Sequence, residues 1–392
     1  MRFVPNRIKL LTLWGGVSAL FFSGAAFADY QENYVGDMET YTAVYEDTLI
    51  HLARKHDLGF VEVRAANPML DPWIPGDGAQ VVLPKRHLLP DAPREGLVIN
   101  LAEMRVFAYL NGDEAPYTYP LGIGREGLDT PMGKTTVTRK KEGPTWRPTE
   151  RMREEDPELP SVVPPGPDNP LGTHAIYLGW PTYAIHGTNR PYGIGRRVSS
   201  GCIRMYPEDV ARFFAQVPVG SKVNVIHQPI KVAWIGNELY LEAHPDMEEA
   251  IKMEETGLVS NHKLSDDDMS LIIDRAGQYQ DLLNWPRIRA AVRERAGYPI
   301  RIARYFESDA GTADGQDKEA TEQNRSLNEH VEKKTIEVSA SVDVKEQGEV
   351  SEHDLSVDED IIVPTHKPAL GERADLSNDV QDNEAVVVTV NE

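Results

Sequence analysis

Residues 186–205 read HGTNRPYGIGRRVSSGCIRM, and they contain Cys202, the single cysteine in a chain of 392 residues. The stretch opens with His186, and glycines stand at positions 187, 193, 195 and 201. Glycine permits tight turns and close backbone approach, so a loop of this kind can return the chain toward its starting point. The spacing therefore predicts that His186 and Cys202 meet in the folded protein.

The N-terminus is typical of a cleavable export signal. Arg2, Arg7 and Lys9 precede an apolar run at residues 10–22, and the small-x-small sequence AFA ends at Ala28. The run is too short to span a bilayer comfortably, which favours a signal peptide at residues 1–28 over an uncleaved membrane anchor. No later run is apolar enough to span a membrane, so the mature chain is expected outside the cytoplasm without a transmembrane segment.

A lone cysteine in an exported chain needs an explanation, because cysteines in oxidising compartments normally pair. Cys202 has no partner within the sequence. It is therefore a reactive nucleophile, an intermolecular disulfide partner, or an inert buried side chain. The residues around it decide between these alternatives.

The formal net charge of −21 is concentrated near the C-terminus. Residues 307–392 hold 23 acidic and 7 basic residues and no Phe, Trp or Tyr. Such a segment buries too little apolar surface to offset its ordering entropy, so we expect an acidic disordered tail. The sequence has no basic stripe, which argues against nucleic acid as a partner.

Residues 40–86 read as a compact strand–helix–helix–strand unit. The run TYTAVY alternates, EDTLIHLARKH has helical spacing with Asp47 as the expected N-cap, and AQVVLP closes the unit as a strand. The unit resembles a lysin-motif (LysM) module, on the segments YTAVYEDTLIHLA, ANP at residues 66–68, and VVLP. The resemblance implies binding of N-acetylglucosamine chains such as peptidoglycan; a packing module without ligand affinity is the alternative.

Residues 94–228 contain short Val-, Ile- and Thr-rich runs separated by Gly and Pro. These predict a β-sandwich or barrel-like sheet fold. Asn111-Gly112 marks a hairpin turn, residues 144–170 are expected to form a long ordered loop, and residues 207–217 are the one clear helix. Residues 229–306 follow as an extension, with a hairpin turn at Gly236-Asn237 and a largely helical pattern over residues 266–303.

The residue types around Cys202 suit nucleophilic catalysis. A thiol with an ordinary pKa near 8.5 is mostly protonated at neutral pH, so it needs a base, and His186 is the candidate. Backbone N–H groups around Gly201 and Ile203 are expected to form an oxyanion hole. Arginines at positions 196, 197 and 204 would favour the thiolate and pair with a substrate carboxylate.

On these residues the sequence resembles the L,D-transpeptidase family (the YkuD-type catalytic domain). The matching elements are HGT at 186–188, SSGCIR at 199–204, TPMG at 130–133, PTWRPT at 144–149 and PPGPDNPLGTHAIYLG at 164–179. The resemblance covers about a third of the chain. Many members have histidine where this chain has Ser200, which leaves a second histidine without a role here.

The resemblance implies a fold and a set of site residues. The fold is a mainly β L,D-transpeptidase-type sandwich with one helix after the cysteine. Cys202 would be the nucleophile, His186 the base, and the Gly187 carbonyl the group that orients the imidazole. The residues expected to bind substrate are Arg204, Ser199, Ser200, Thr188, Tyr192 and Arg197. His174 is expected to be structural.

The resemblance also implies a reaction. Cys202 would attack the bond between the diamino acid and D-Ala of a peptidoglycan tetrapeptide stem and form a thioester. An amine would then resolve it: another stem, an outer-membrane lipoprotein lysine or a free D-amino acid. Hydrolysis by a carboxypeptidase or endopeptidase, and a non-catalytic wall-binding protein, remain alternatives. The expected location is the periplasm. No cofactor is expected, and no metal, since no CxxC or HExxH spacing is present.

Overall fold

The computed structural model describes residues 30–112, 114–259 and 263–306. The predicted signal peptide at residues 1–28 and the predicted acidic tail at residues 307–392 lie outside these ranges. None of the helices in the described ranges is both long and apolar enough to cross a membrane.

The N-terminal part contains two short helices between antiparallel strands. Its elements are β1 Tyr34–Val35, β2 Glu39–Thr42, α1 Leu49–Lys55, α2 Phe60–Ala66, β3 Gln80–Leu83 and β4 His87–Leu88. Strand β2 pairs with β3, and β1 pairs with β4. A small apolar core lies between the helices and the β2–β3 pair. We call residues 39–83 the N-terminal module.

Helix α1 begins one residue later than the sequence suggested. The Oγ1 atom of Thr48 accepts a hydrogen bond from the His51 N–H at 3.2 Å, so Thr48 is the N-cap. The carboxylate of Asp47 instead accepts from the Val44 N–H at 2.9 Å. The prediction of Asp47 as the cap was wrong because its side chain folds back onto the preceding turn.

The central part is built on one large mixed sheet, so the predicted mainly β fold is confirmed. Its elements are β5 Gly96–Asn100, β6 Arg105–Tyr109, β7 Tyr117–Pro120, β8 Ile123–Gly124, β9 Gly133–Glu142, α3 Glu150–Glu155, β10 His174–Leu178, β11 Ala184–His186, a 3₁₀ turn Pro191–Gly193, β12 Arg197–Ser199, β13 Ile203–Arg204, α4 Pro207–Gln216 and β14 Lys222–Ile226. The eight-stranded sheet has the order β13-β11-β10-β9-β14-β5-β6-β7.

Alternating side chains in the middle of this sheet bury both of its faces. Along β5, Leu97 and Ile99 belong to the main core while Val98 points to a second cluster on the other face. This is the period of two expected for a strand covered on both sides. One run rich in Val, Ile and aromatic residues covers residues 96–110. The structure divides it into β5 and β6, which form a hairpin around Met104 at φ 50°.

Helix α4 packs on the main core as its apolar spacing predicted. Pro207 occupies its first turn with Glu208 and Asp209, and Val210 and Phe213 are fully buried. This helix directly follows the segment that contains Cys202, so it fixes the C-terminal end of that segment against the sheet.

The long loop at residues 144–170 contains one element that the sequence did not reveal. Helix α3 lies within it and buries none of its side chains. The loop is closed at its base by Asn169, whose Nδ2 donates to the carbonyls of Pro144 and Val163 at 2.8 and 3.1 Å. The loop is therefore tied at its ends and exposed at its middle.

The C-terminal extension has a sheet and a core of its own. Its elements are β15 Ile230–Ile235, β16 Glu238–Ala243, α5 Met247–Thr256, α6 Asp266–Ala276, a 3₁₀ turn Gly277–Leu282, α7 Trp285–Glu294 and β17 Ile300–Arg304. The strands have the order β15-β16-β17. The largely helical prediction for residues 266–303 was wrong at its end, because β17 pairs with β16.

A buried ionic cluster joins the three parts of the described chain. The Nζ atom of Lys231 lies 2.9 Å from Oε2 of Glu103, 2.7 Å from Oε1 of Glu242 and 2.7 Å from the Leu88 carbonyl. Burial alone would lower the pKa of Lys231, but the two carboxylates outweigh it and raise it. Removing one partner of such a cluster leaves a buried charge uncompensated, which costs about 3–5 kcal/mol.

Candidate active site

Strands β11 and β13 bring the two predicted catalytic side chains together. They run parallel, with Ile185 opposite Ile203 and His186 opposite Arg204. Cys202 immediately precedes β13, two residues before Arg204. Because alternate side chains on a strand share a face, His186, Arg204 and Cys202 lie on the same face of this strand pair. We call residues 187–201, which connect the two strands, the catalytic loop.

The imidazole of His186 is buried and has a defined orientation. Its Nδ1 lies 2.5 Å from the carbonyl oxygen of Gly187, and the side chain is only 4% exposed. A carbonyl accepts and does not donate, so Nδ1 carries the proton of the neutral ring. The lone pair is then on Nε2, so this is the ring nitrogen that can accept a proton. The Gly187 carbonyl is the group that the sequence analysis assigned to this contact.

The sulfur of Cys202 is half-buried and makes its hydrogen bond to the backbone. Its Sγ lies 3.4 Å from the carbonyl oxygen of Thr182. Thr182 has φ +70°, a conformation that a β-branched residue adopts only under strain. The hydrogen bonds in the described ranges do not include one between Sγ and His186. Catalytic hydrogen bonds are often long without substrate, and tighten only in the complex.

Burial keeps both groups of the pair neutral at rest. Burial, together with the Arg204 guanidinium, lowers the pKa of His186 to about 4 against the opposing effect of the Gly187 carbonyl. Burial raises the pKa of the Cys202 thiol, and the Ala184 N–H and Arg204 offset only part of that effect. The arginine thus favours the thiolate, as the sequence suggested, but burial has the larger influence.

The Gly201 N–H predicted for the oxyanion hole is engaged by a neighbouring side chain. It donates to the Oγ of Ser199 at 3.2 Å, and this Oγ donates to the Cys202 carbonyl at 2.5 Å. Ser199 is fully buried, and its hydroxyl shapes the turn before the cysteine.

The Ile203 N–H points into the sheet. Successive N–H groups of a strand alternate in direction; that of Arg204 donates to the Gly122 carbonyl and that of Met205 to the His186 carbonyl, each at 2.8 Å. Ile203 is therefore directed toward β11. Among the described residues at this corner, the N–H of Cys202 has no hydrogen-bond partner. The structure thus transfers the candidate oxyanion donor from positions 201 and 203 to position 202.

Gly201 is required by its surroundings. Its φ is +101°, and a Cβ added here would lie 2.9 Å from Cε1 of Tyr183. Its carbonyl accepts from Oγ1 of Thr130 at 2.9 Å. Thr182, Tyr183 and Thr130 were not among the predicted site residues. The short segment Trp180-Pro181-Thr182 connects two strands, and its proline is the feature of the sequence that indicates a tight turn here.

The Arg204 guanidinium has no counterion among the described residues. Its Nε is buried without a hydrogen-bond partner, and its guanidinium makes no ion pair with any residue the structure describes. Burial lowers the pKa of Arg204; the nearby Cys202 sulfur opposes this, and the guanidinium groups of Arg190 and Arg125 reinforce it. An unpaired arginine beside other cations is a suitable partner for a carboxylate.

The other residues predicted to bind substrate each make a contact within the protein. Arg197 is 4% exposed at its side chain and contacts Asp129 at 2.6 Å, so it is committed to a structural ion pair. Thr188 is buried and accepts from the Arg190 N–H. Tyr192 is 43% exposed and its ring lies 5.4 Å from that of His51 in the N-terminal module.

Ser200 and His174 are the two remaining residues for which the sequence predicted a role. Ser200 is half-buried, next to the turn that Ser199 shapes. The ring of His174 packs on Phe214 at 4.6 Å, and its Nδ1 lies 2.9 Å from Oγ1 of Thr173. This placement agrees with a structural role for His174.

One group of possible metal ligands lies in the part of the chain that the structure describes, far from Cys202 in sequence. A ligand atom from each of His87, Glu103 and Glu242 lies within 4.8 Å of the others. The Lys231 ammonium contacts both carboxylates. The positive charge that a metal would supply is already present, and the cluster is better suited to holding the three parts together.

Comparisons with known proteins identify the family of this chain. A family model described as the L,D-transpeptidase catalytic domain (YkuD) matches residues 94–225. The probable L,D-transpeptidase YcfS of Escherichia coli K12 is 41% identical over 268 residues, which cover 65% of this chain and 80% of that protein. The chain belongs to the L,D-transpeptidase family.

Other members of the L,D-transpeptidase family give similar matches. The probable L,D-transpeptidase ErfK/SrfK of Escherichia coli K12 is 37% identical, covering 69% of this chain and 87% of that protein. Among solved structures, an L,D-transpeptidase from Mycobacterium smegmatis matches at 21% identity and a TM-score of 0.28, over 38% of this chain and 63% of that chain. The matched L,D-transpeptidase domain contains His186, Cys202 and Arg204.

Proposed function

We propose that this protein is a peptidoglycan L,D-transpeptidase that forms a thioester on Cys202. The proposal is supported above all by one observation: Cys202, His186 and the unpaired Arg204 share one face of β11 and β13. A nucleophile, a base with a free lone pair and a carboxylate-binding cation are the groups that acyl transfer from a peptide ending in a carboxylate requires.

The acylation step uses each of these groups. As Sγ leaves the Thr182 carbonyl and attacks the carbonyl carbon between the diamino acid and D-Ala, its proton passes to Nε2 of His186. The Cys202 N–H donates to the oxygen that becomes negative. The C–N bond then breaks, and Nε2 returns the proton to the leaving amine of D-Ala. Arg204 pairs with a carboxylate of the stem.

The second step releases the acyl group to an amine. The acceptor nitrogen gives its proton to Nε2, attacks the thioester carbonyl and displaces Sγ, which regains the proton. The acceptor classes are another stem peptide, a lysine of an outer-membrane lipoprotein and a free D-amino acid. The leader pattern at residues 1–28 and these cell-wall substrates support a periplasmic location for the proposed reaction.

The masses of reaction products test the proposal. Purified protein is incubated with tetrapeptide muropeptides, alone and with a D-amino acid. A dimer formed with loss of D-Ala, or exchange of the fourth residue, supports transpeptidation. Tripeptide monomer alone would show that water is the acceptor and that the protein is a carboxypeptidase. Unchanged tetrapeptide, with no carbapenem adduct on Cys202, would leave only a wall-binding role.

The pH dependence of acylation should reflect the buried histidine. The base must be neutral, and the pKa of His186 is lowered to about 4. We therefore expect the carbapenem acylation rate to be flat through pH 5–6 and to fall about tenfold per unit only below about pH 4. An ordinary histidine would give the fall near pH 6.5.

Stopped-flow measurement of adduct formation, with circular dichroism at each pH to verify folding, gives this profile. A half-maximal rate between pH 6 and 7 in a folded protein would mean that the base is solvated, or that it is a different group.

The N-terminal module supports a second, additional role in glycan binding. Its two loops meet where the Leu49 N–H donates to the Pro72 carbonyl at 2.8 Å. They expose Tyr45, Trp73 and Ile74 at 81%, 53% and 70%. Exposed large apolar side chains on one module mark a candidate binding surface. Co-sedimentation with insoluble peptidoglycan tests this role independently of catalysis.

A further inference from the structure

The catalytic loop is held from outside by the N-terminal module. The N–H groups of Phe60 and Val61, in the first turn of α2, donate to the carbonyls of Ile194 and Gly195 at 3.4 and 3.2 Å. A Cβ added to Gly195 would lie 2.2 Å from Cα of Gly59, so the two backbones touch. Gly195 also has φ +72°, which favours glycine. One side of the loop is thus fixed to α2.

Helix α5 of the C-terminal extension holds the same loop through an arginine. The guanidinium of Arg196 forms an ion pair with the Glu254 carboxylate. The same guanidinium donates to the Tyr192 carbonyl at 3.3 Å and lies 5.9 Å from the Phe60 ring. The side chains of Arg196 and Glu254 are 29% and 21% exposed, so solvent only partly screens the pair.

The next arginine makes a parallel connection. Nη1 of Arg197 donates to the carbonyl of Met247, the first residue of α5, at 2.5 Å. Ala250 and Met253 of α5 pack in the same apolar core as Val61 of α2. Helix α5 is therefore anchored independently of the loop and gives the two arginines a fixed point.

We infer that Glu254 is a positioning residue for the reaction at Cys202. The inference rests on the proposed function for its kinetic consequences. The catalytic loop begins at Gly187, which orients His186, and ends at Gly201, which precedes the nucleophile. Its backbone therefore supports the carbonyl that orients His186 at one end and the residue before the sulfur at the other. The Arg196–Glu254 pair fixes the middle of that backbone, which gives a role to the first helix of an extension whose purpose the sequence did not reveal.

Substitution of Glu254 by glutamine tests the inference, because E254Q keeps the shape and removes the charge. E238Q is the control on β16: the Glu238 carboxylate is also 21% exposed and pairs with Arg301 at 2.5 Å, and it has further contacts with Arg304 and the Tyr240 hydroxyl. We expect E254Q to lower the maximal rate of carbapenem acylation about tenfold at an unchanged half-saturating concentration. E238Q should acylate like the unmodified protein, with an equal thermal midpoint.

Two further readouts separate positioning from a general loss of structure. A loosened loop admits water to His186 and Cys202, so their pKa values return toward the ordinary ones. The acid limit of acylation in E254Q should therefore move from about pH 4 toward pH 6.5. Alkylation of Cys202 by iodoacetamide at pH 7 should become faster, although acylation becomes slower. Alkylation requires no transpeptidase activity.

A double variant tests whether Glu254 acts through Arg196. R196Q/E254Q should acylate no more slowly than R196Q alone, because the two side chains act as a unit. Acylation and alkylation of E254Q at unmodified rates would overturn the inference. Equal losses in E254Q and E238Q would also overturn it, as a stability effect. If the unmodified protein forms no adduct but E254Q still speeds alkylation, the positioning role stands and the proposed transpeptidase function fails.

Discussion

Replacement of Cys202 by serine is expected to abolish carbapenem acylation and the release of D-Ala. A serine hydroxyl is far more difficult to deprotonate than a thiol, so it needs a strong base. In serine hydrolases the histidine is supported by a buried carboxylate that stabilises the imidazolium. Here Nδ1 of His186 contacts only the Gly187 carbonyl, and Arg204 disfavours the imidazolium. The site is therefore expected to activate a thiol and not a hydroxyl.

Intact-protein mass spectrometry checks this result. C202S should show no mass increase after incubation with a carbapenem at a concentration that fully modifies the unmodified protein. Serine and cysteine are close in shape, so the thermal midpoint and circular dichroism of the two proteins should agree. A stoichiometric adduct on C202S would mean that the nucleophile lies elsewhere, and the proposed mechanism would be withdrawn.

The lowered pKa of His186 and the raised pKa of Cys202 imply how the thiol is activated. Because burial disfavours both charged forms, a thiolate–imidazolium pair is not the resting state. The proton must leave Sγ as the new C–S bond forms, when charge passes from sulfur to the substrate oxygen. A neutral thiol beside the Thr182 carbonyl also reacts slowly with oxidants, since the thiolate is the reactive species.

Local sequence was sufficient to predict that the chain returns Cys202 beside the strand that ends at His186. His186 ends a strand, and the glycines that follow allow the chain to return beside that strand within 16 residues. These are properties of neighbouring residues, so they could be recognised without knowledge of the rest of the fold. The mainly β architecture of residues 94–228 was accessible for the same reason, through alternation and turn residues.

The roles of the arginines could not be predicted in this way. Arg196 and Arg197 were expected to face the substrate because they lie near Cys202 in sequence. Their partners, Glu254 and Met247, are 58 and 50 residues away on a helix of the extension. Of these three arginines, Arg204 is the one without an ion pair among the described residues. Which arginine binds and which supports is decided by distant contacts that leave no local pattern.

Strand β17 and the buried cluster are missed for a related reason. The helical prediction extended to residue 303, whereas residues 300–304 form a strand because β16 offers an edge to pair with. Likewise Lys231 lies 128 residues from Glu103, and a lysine in an alternating strand is ordinarily expected to face solvent. Tertiary contacts override the local preference in both places.

Replacement of His186 by alanine is expected to slow carbapenem acylation by about three orders of magnitude. General acid–base catalysis by a positioned side chain contributes about 10²–10⁴ in rate. The largest loss is expected for the departure of D-Ala, because its amine cannot leave without a proton. The natural peptide should therefore suffer more than a strained β-lactam, whose ring opens without an amine departing from the enzyme.

This difference distinguishes a base from a structural histidine. H186A should retain slow carbapenem adduct formation whose rate rises with pH as the Cys202 thiol ionises, in contrast to the flat profile of the unmodified protein. Release of D-Ala from tetrapeptide should fall below detection. Because the imidazole is fully enclosed, alanine leaves a cavity, so H186Q, which nearly fills it without supplying a base, must give the same two profiles. Normal turnover by either variant would show that another group accepts the proton from sulfur, and the parallel pairing of β11 with β13 would then serve the fold alone.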